Sequence, residues 1–151
     1  GKDADYGAMQ QLGLCKYVKK TYASEPYYND IKSDYEVRPQ YYAYSLLTRF
    51  IRPGAEIYPI ATPEEWYAGT AVRNTNGKWV YVFANGMDQE KTISLINQHT
   101  QTKGNYQVYR YIKDGLPTTD QMLAPDAQPL KVNDKILCLL PAHSVIVLKQ
   151  E

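Results

Sequence analysis

The hydrophobic pattern of this chain changes period once, at Gly54. Before that residue apolar positions recur every three or four residues; after it they alternate. Ala8, Leu12, Cys15, Val18 and Tyr22 follow steps of three and four, with Lys16, Lys19 and Lys20 mostly elsewhere on the wheel. This spacing predicts a helix over residues 5–23. Ser24-Glu25-Pro26-Tyr27-Tyr28-Asn29-Asp30 breaks it, and irregular chain is expected as far as Val37. A second helix is expected from Arg38-Pro39, because the N–H that proline lacks would have no partner in a first helical turn. Ala43, Leu46, Leu47 and Phe50 give this helix an apolar stripe suited to covering a sheet, and Arg52-Pro53-Gly54 stops it.

Beyond the stop, alternation predicts strands at 55–60, 66–73, 78–85, 91–96, 105–112, 129–132, 135–140 and 144–149. Asn74-Thr75-Asn76-Gly77 lies between two of these runs, and Asn-Gly in that setting is a hairpin signal. In the strand after it, Trp79, Tyr81 and Phe83 share one face and Val80, Val82 and Ala84 the other. Both faces are apolar, so this strand belongs at the centre of a sheet covered on two sides. Thr92-Ile93-Ser94-Leu95 alternates polar and apolar, as a strand with one wet face does. The segment 113–128, with Pro117 and Pro125, is expected to cross between layers. The fold expected is mainly β: an antiparallel β-sandwich of about 7–8 strands preceded by two N-terminal α-helices. Residues 1–54 form the helical segment and 55–151 the sandwich.

Composition narrows the function. The chain carries 15 Tyr against 2 Phe, and a ring with a polar tip suits both half-buried strands and surfaces that stack on sugars. Net charge is +1 and the basic runs are no longer than pairs such as Lys19-Lys20. No footprint for nucleic acid is present. No apolar run is long enough to span a membrane. Cys15 and Cys138 lie far apart without a CxxC spacing, so neither a metal site nor a disulfide framework is indicated, and both read as small buried hydrophobes. No cofactor is expected.

Catalytic constellations are missing from the sequence. Glycoside hydrolysis takes two carboxyl groups, about 5–5.5 Å apart for retention and wider for inversion. Glu64 and Glu65 are adjacent on one turn, and Asp30 and Asp34 sit in the irregular stretch with no assignable partner. His143 and Ser144 are neighbours at a strand start, where successive side chains point to opposite faces, and His99 lies in a polar turn. No phosphate loop, HExxH or GxSxG is present. Ring stacking on a glycan is the remaining chemistry, with Trp66 and Tyr67 after the acidic turn and Tyr27 and Tyr28 in the Pro-bounded loop as the candidate carbohydrate-binding residues. The same four rings would equally suit packing between helix and sheet.

The run Pro39-Gln40-Tyr41-Tyr42-Ala43-Tyr44-Ser45-Leu46-Leu47-Thr48-Arg49-Phe50-Ile51-Arg52-Pro53-Gly54-Ala55 resembles a junction in clan A glycoside hydrolases, notably glucosylceramidase-like and arabinofuranosidase-like enzymes. In those families the last helix of a (β/α)₈ barrel passes into a C-terminal β-sandwich through an F-I-x-P-G turn. The hairpin strand Gly77-Lys78-Trp79-Val80-Tyr81-Val82-Phe83-Ala84-Asn85 and the segment Leu139-Leu140-Pro141-Ala142-His143-Ser144-Val145-Ile146-Val147-Leu148 are similar to the family's later strands. The resemblance covers residues 39–149. It implies an accessory, non-catalytic sandwich separated from its barrel, since the family's catalytic glutamates sit on barrel strands that this chain does not contain and no Asn-Glu motif occurs here. It also implies a glycan, a catalytic barrel, or self-association through the helical face as partner, and a secreted or periplasmic bacterial setting. A stand-alone carbohydrate-binding module and a protein-interaction or assembly module are the alternatives.

Overall fold

The computed structural model describes residues 15–17, 35–37, 39–62, 67–117 and 122–151. Its first element corrects the sequence reading. Cys15–Tyr17 is a strand, β1, paired antiparallel with β2 (Tyr35–Val37), so the helix expected over 5–23 does not run through these residues. The register sets Cys15 against Val37, Lys16 against Glu36 and Tyr17 against Tyr35. Apolar steps of three and four arise by coincidence in a short stretch, and a nearby partner segment rich in strand formers overrides them. The rest of that expected helix lies outside the described residues, which contain one α-helix.

That helix, α1 (Pro39–Phe50), starts at the proline and turns Tyr42, Leu46 and Phe50 inward. It ends where Ala55 N–H donates to the Arg52 carbonyl at 3.1 Å and Gly54 takes φ +81°, a left-handed conformation that a Cβ would strain. Eight strands follow. They are β3 (Glu56–Ile60), β4 (Tyr67–Arg73), β5 (Trp79–Asn85), β6 (Lys91–Ile96), β7 (Gly104–Ile112), β8 (Leu130–Val132), β9 (Lys135–Leu140) and β10 (Ser144–Gln150). They build two antiparallel sheets, one of six strands in the order β3-β4-β5-β10-β7-β8 and one formed by β6 and β9.

The strand with two apolar faces is central, as its pattern requires. β5 pairs with β4 and β10. Its Tyr81 and Phe83 enter the core between the sheets, with Tyr106, Val108, Ile136, Cys138, Leu140, Ile146 and Leu148. Its Val80 and Val82 pack on the opposite side with Val72, Val147, Tyr109 and the α1 residues Tyr42, Leu46 and Phe50. Each such fully buried side chain contributes about 1.5–3 kcal/mol. β6 has the expected wet face: Thr92 and Ser94 are exposed while Ile93 and Leu95 pack on the core.

The β4–β5 hairpin closes at Asn74–Gly77. Gly77 N–H donates to the Asn74 carbonyl at 2.9 Å and has φ +78°. The Asn74 side chain reaches out of the hairpin to the end of α1. Its Nδ2 donates to the Phe50 carbonyl at 2.9 Å, and its Oδ1 accepts from Arg52 N–H at 3.0 Å. A polar side chain of the sheet thus satisfies two backbone groups that a helix end leaves open.

The segment 113–128 is a second correction. It does not cross between layers; it joins β7 to β8, which are neighbours in the same sheet. On its return Leu123 is buried in the α1 cluster, and the chain then runs along the β7 edge, where Pro125 bridges to Tyr109 and Arg110 pairs with Asp126 at 2.8 Å. Arg49 secures it, with Nη1 donating to the Leu123 carbonyl and the guanidinium about 5 Å from the rings of Phe50 and Tyr109.

Candidate functional site

Because one sheet has six strands and the other two, part of the inner face of the large sheet is left without a facing layer. Register determines what stands there. Glu56, Arg73 and Trp79 fall in one row across β3, β4 and β5, and Tyr58, Ala71 and Tyr81 in the next. A cleft of about 560 Å³ lies over these rows, with residues 95–102 as its opposite wall. Clefts that hold small ligands span about 300–1,000 Å³.

Two rings form the floor. Tyr58 and Trp79 lie 5.6 Å apart between centroids with planes inclined by 35°, and Tyr58 is 46% exposed. The Tyr58 hydroxyl donates to Glu56 Oε2 at 2.9 Å, and this bond, with Glu56's negative charge, holds the phenol above its ordinary range. Arg73 Nη1 faces the same carboxylate oxygen at 3.6 Å. The Trp79 backbone N–H is held by Gln150 Oε1 at 2.9 Å. Its indole Nε1–H is buried and has no acceptor among the described residues. Buried donors are almost always paired, so this one is an anomaly in the wall of a cleft.

The opposite wall is polar and fixed. Asn97 N–H donates to the Asp134 carbonyl and Asn97 Nδ2 to the Asn133 carbonyl, both at 2.8 Å. The Thr102 hydroxyl lies within reach of Asn97 Oδ1 and the His99 carbonyl, and the Tyr106 hydroxyl donates to the Thr102 carbonyl at 2.8 Å. Gln150 Nε2 ties the Gln101 and Lys103 carbonyls to β10. Burial raises the Tyr81 and Tyr106 phenols, Tyr106 most, so both stay neutral donors. While the backbone of this wall is anchored, the side chains of Gln98, His99 and Gln101 make no hydrogen bond among the described residues. Flat apolar rings on one side and free amides on the other suit a ligand that has apolar faces and a hydroxyl rim.

The residues singled out from sequence lie elsewhere. Tyr67 is 8% exposed in the inter-sheet core, with Lys91 Nζ 4.6 Å from its ring centroid. Trp66, Tyr27 and Tyr28 lie outside the described residues, as do Glu64, Glu65, Asp30 and Asp34. His99 lines the cleft. His143 Nε2 stands 2.6 Å from Asp88 Oδ1, and the buried Ser144 hydroxyl donates to the Pro141 carbonyl at 2.6 Å, so each side chain has its own partner. Cys138 is a buried free thiol whose pKa burial pushes up. Among the described residues no group of three His, Cys, Asp or Glu could hold a metal ion, and no helix is long and apolar enough to cross a membrane. The α1 stripe offered for self-association is turned into the sheet, leaving Tyr44 as its exposed ring. Tyr58 and Arg73 were not singled out from sequence. The hairpin register sets Arg73 opposite Trp79, a pairing that the Asn-Gly signal does not fix because the loop is longer than a two-residue turn.

No family model matches the chain, and no protein of curated description matches it. Solved structures do share its fold. A glycoside hydrolase family 30 endoxylanase from Clostridium papyrosolvens aligns over 76% of this chain with a TM-score of 0.61 and 21% identity. A family 30 subfamily 8 xylanase from Clostridium acetobutylicum aligns over 80% with a TM-score of 0.63 and 18% identity. The catalytic domain of a family 30 xylanase from Talaromyces cellulolyticus aligns over 78% with a TM-score of 0.60 and 21% identity. The chain spans only 25–29% of the length of these proteins. At this identity the likeness establishes the fold: this β body occurs as a minor part of larger glycoside hydrolase chains.

Proposed function

We propose that this chain is a non-catalytic accessory domain of a glycoside hydrolase, which stabilises a catalytic barrel and helps to shape its glycan cleft. The observation that carries the reading is the fold shared with about a quarter of the length of three xylanases. On this reading residues 55–151 are the accessory body and residues 1–54 the segment that leads into it from the barrel. The Asn74 clamp on α1 supports the division, since it fixes the angle at which a helix hands the chain to the sheet. Xylan is the glycan the neighbours' activity suggests, and a polymer too large to enter a cell implies a secreted or periplasmic setting.

The test is an assay of the purified chain on xylan and on aryl xylosides. No release of reducing ends or aryl alcohol is expected. Turnover that one carboxylate substitution abolishes would refute the accessory role.

The Tyr58–Trp79 cleft favours a second reading, a carbohydrate-binding module that works without catalysis. Trp66, Tyr27 and Tyr28 are further candidate ring contacts for it, whereas Tyr67 is taken up by the core between the sheets. Binding of polysaccharide by the chain alone, in an affinity gel, separates it from a domain that only supports a barrel.

A further inference from the structure

We infer that the cleft between Tyr58, Trp79 and residues 97–102 binds a neutral glycan chain, with the two rings stacking on sugar faces and the opposite wall meeting the hydroxyls. The inference rests on the second reading above and gives it a site, a ligand class and named contacts.

Four observations converge. First, Tyr58 is half exposed beside Trp79 on the inner face of the large sheet, a face whose centre is covered by β6 and β9. Pyranose rings present C–H faces that stack on such rings, and two planes inclined at 35° suit a chain whose successive units twist. Second, Trp79 offers its ring rather than its N–H: the residue lines the cleft while the indole nitrogen is buried away from solvent. Third, Gln98, His99 and Gln101 stand along the other wall with side chains that make no hydrogen bond among the described residues, on an anchored backbone, so a ligand that engages them has to order side chains but no backbone. Fourth, the floor is charge-balanced. Arg73, which lines the cleft, faces Glu56, which also accepts from Tyr58, so the guanidinium's charge is already met by a carboxylate and an anionic sugar gains little from it. A neutral ligand needs no counter-charge.

The chain has two tryptophans, Trp66 and Trp79, so indole emission and calorimetry together report binding to the unaltered chain. This protein is titrated with xylohexaose, cellohexaose, mannohexaose and an oligogalacturonate, following indole emission and calorimetric heat. At least one neutral hexamer is expected to shift the emission and bind. Tyr58→Ala is expected to weaken that binding about tenfold or more, whereas Tyr58→Phe, which keeps the ring and loses only the bond to Glu56, changes it by less than about twofold. Because Tyr58 is half exposed, its removal leaves the core intact, and a melting curve verifies folding. Silence with every neutral hexamer overturns the inference, as does binding indifferent to Tyr58→Ala or a preference for the oligogalacturonate. The accessory-domain reading fails separately: turnover by the chain sinks that reading, and absence of glycan binding sinks this one.

Discussion

Asn74 belongs to a hairpin, yet it decides how a helix ends. The substitution Asn74→Ala removes the donor to the Phe50 carbonyl and the acceptor for Arg52 N–H. Asn74 is only 9% exposed and its contact with Phe50 is buried, so water cannot replace the amide fully. A buried polar group left unpaired costs about 1–3 kcal/mol; two groups lose their partner here, and because the Arg52 N–H is only part-buried and counts at the low end of that range, the sum is about 2–4 kcal/mol. For a domain of this size each kcal/mol lowers Tm by about 2–4 °C, so a drop of roughly 5–15 °C is expected. Far-UV circular dichroism during heating and urea denaturation both measure it. Asn74→Asp sharpens the test. Its carboxylate keeps the acceptor for Arg52 N–H but sets a negative charge against the Phe50 carbonyl. Once protonated, the same side chain can donate to that carbonyl. The folded-state pKa of the introduced carboxyl should therefore rise above the ordinary value of about 3.9. With more protons bound folded than unfolded in that window, this variant should gain stability as pH falls through the folded-state pKa. A loss below about 0.5 kcal/mol for Asn74→Ala, or an aspartate variant without that gain, would refute the clamp as the cause.

Two further outcomes follow from the core and its phenols. Leu46 is 1% exposed where α1 meets the sheet, so Leu46→Ala should cost about 2–5 kcal/mol by urea denaturation, and a smaller cost would mean that the helix is not held by this contact. Burial raises the Tyr106 phenol far above its usual range. Folding thus resists its ionisation, and the stability this contributes should be fully present below about pH 10 and lost as pH climbs beyond it. Tyr106→Phe should give up about 1 kcal/mol at neutral pH, from the lost bond to the Thr102 carbonyl, while flattening that alkaline decline in a pH series of melting curves.

Most of the β body was legible because each strand carries its own signal. β5 shows two apolar faces, β6 one, and Asn74–Gly77 a turn chemistry that allows few alternatives. α1 was legible from Pro39, its apolar stripe and the stop at Gly54. Cys15–Tyr17 misled because three residues are too few to show a period, and their state is decided by a partner strand about twenty residues away. The return of residues 113–128 to the same sheet was equally hidden, since Leu123 and Pro125 reveal their side only through contact with α1 and Tyr109. The cleft was the least legible feature. Nothing local to Tyr58 says that β6 and β9 form a layer of two strands, which is why its ring is left uncovered while Tyr81, on the next strands over, is not.

The position of β10 between β5 and β7 has a consequence for biogenesis. As the polypeptide emerges from the ribosome, β3, β4 and β5 can assemble as one ribbon and β7 with β8 as another, but no strand pairs the two until residues 144–150 arrive. Until then both ribbons present bare strand edges and half of a core to the surroundings. A nascent chain paused just before Ser144 should therefore be the species most exposed to chaperones and to aggregation.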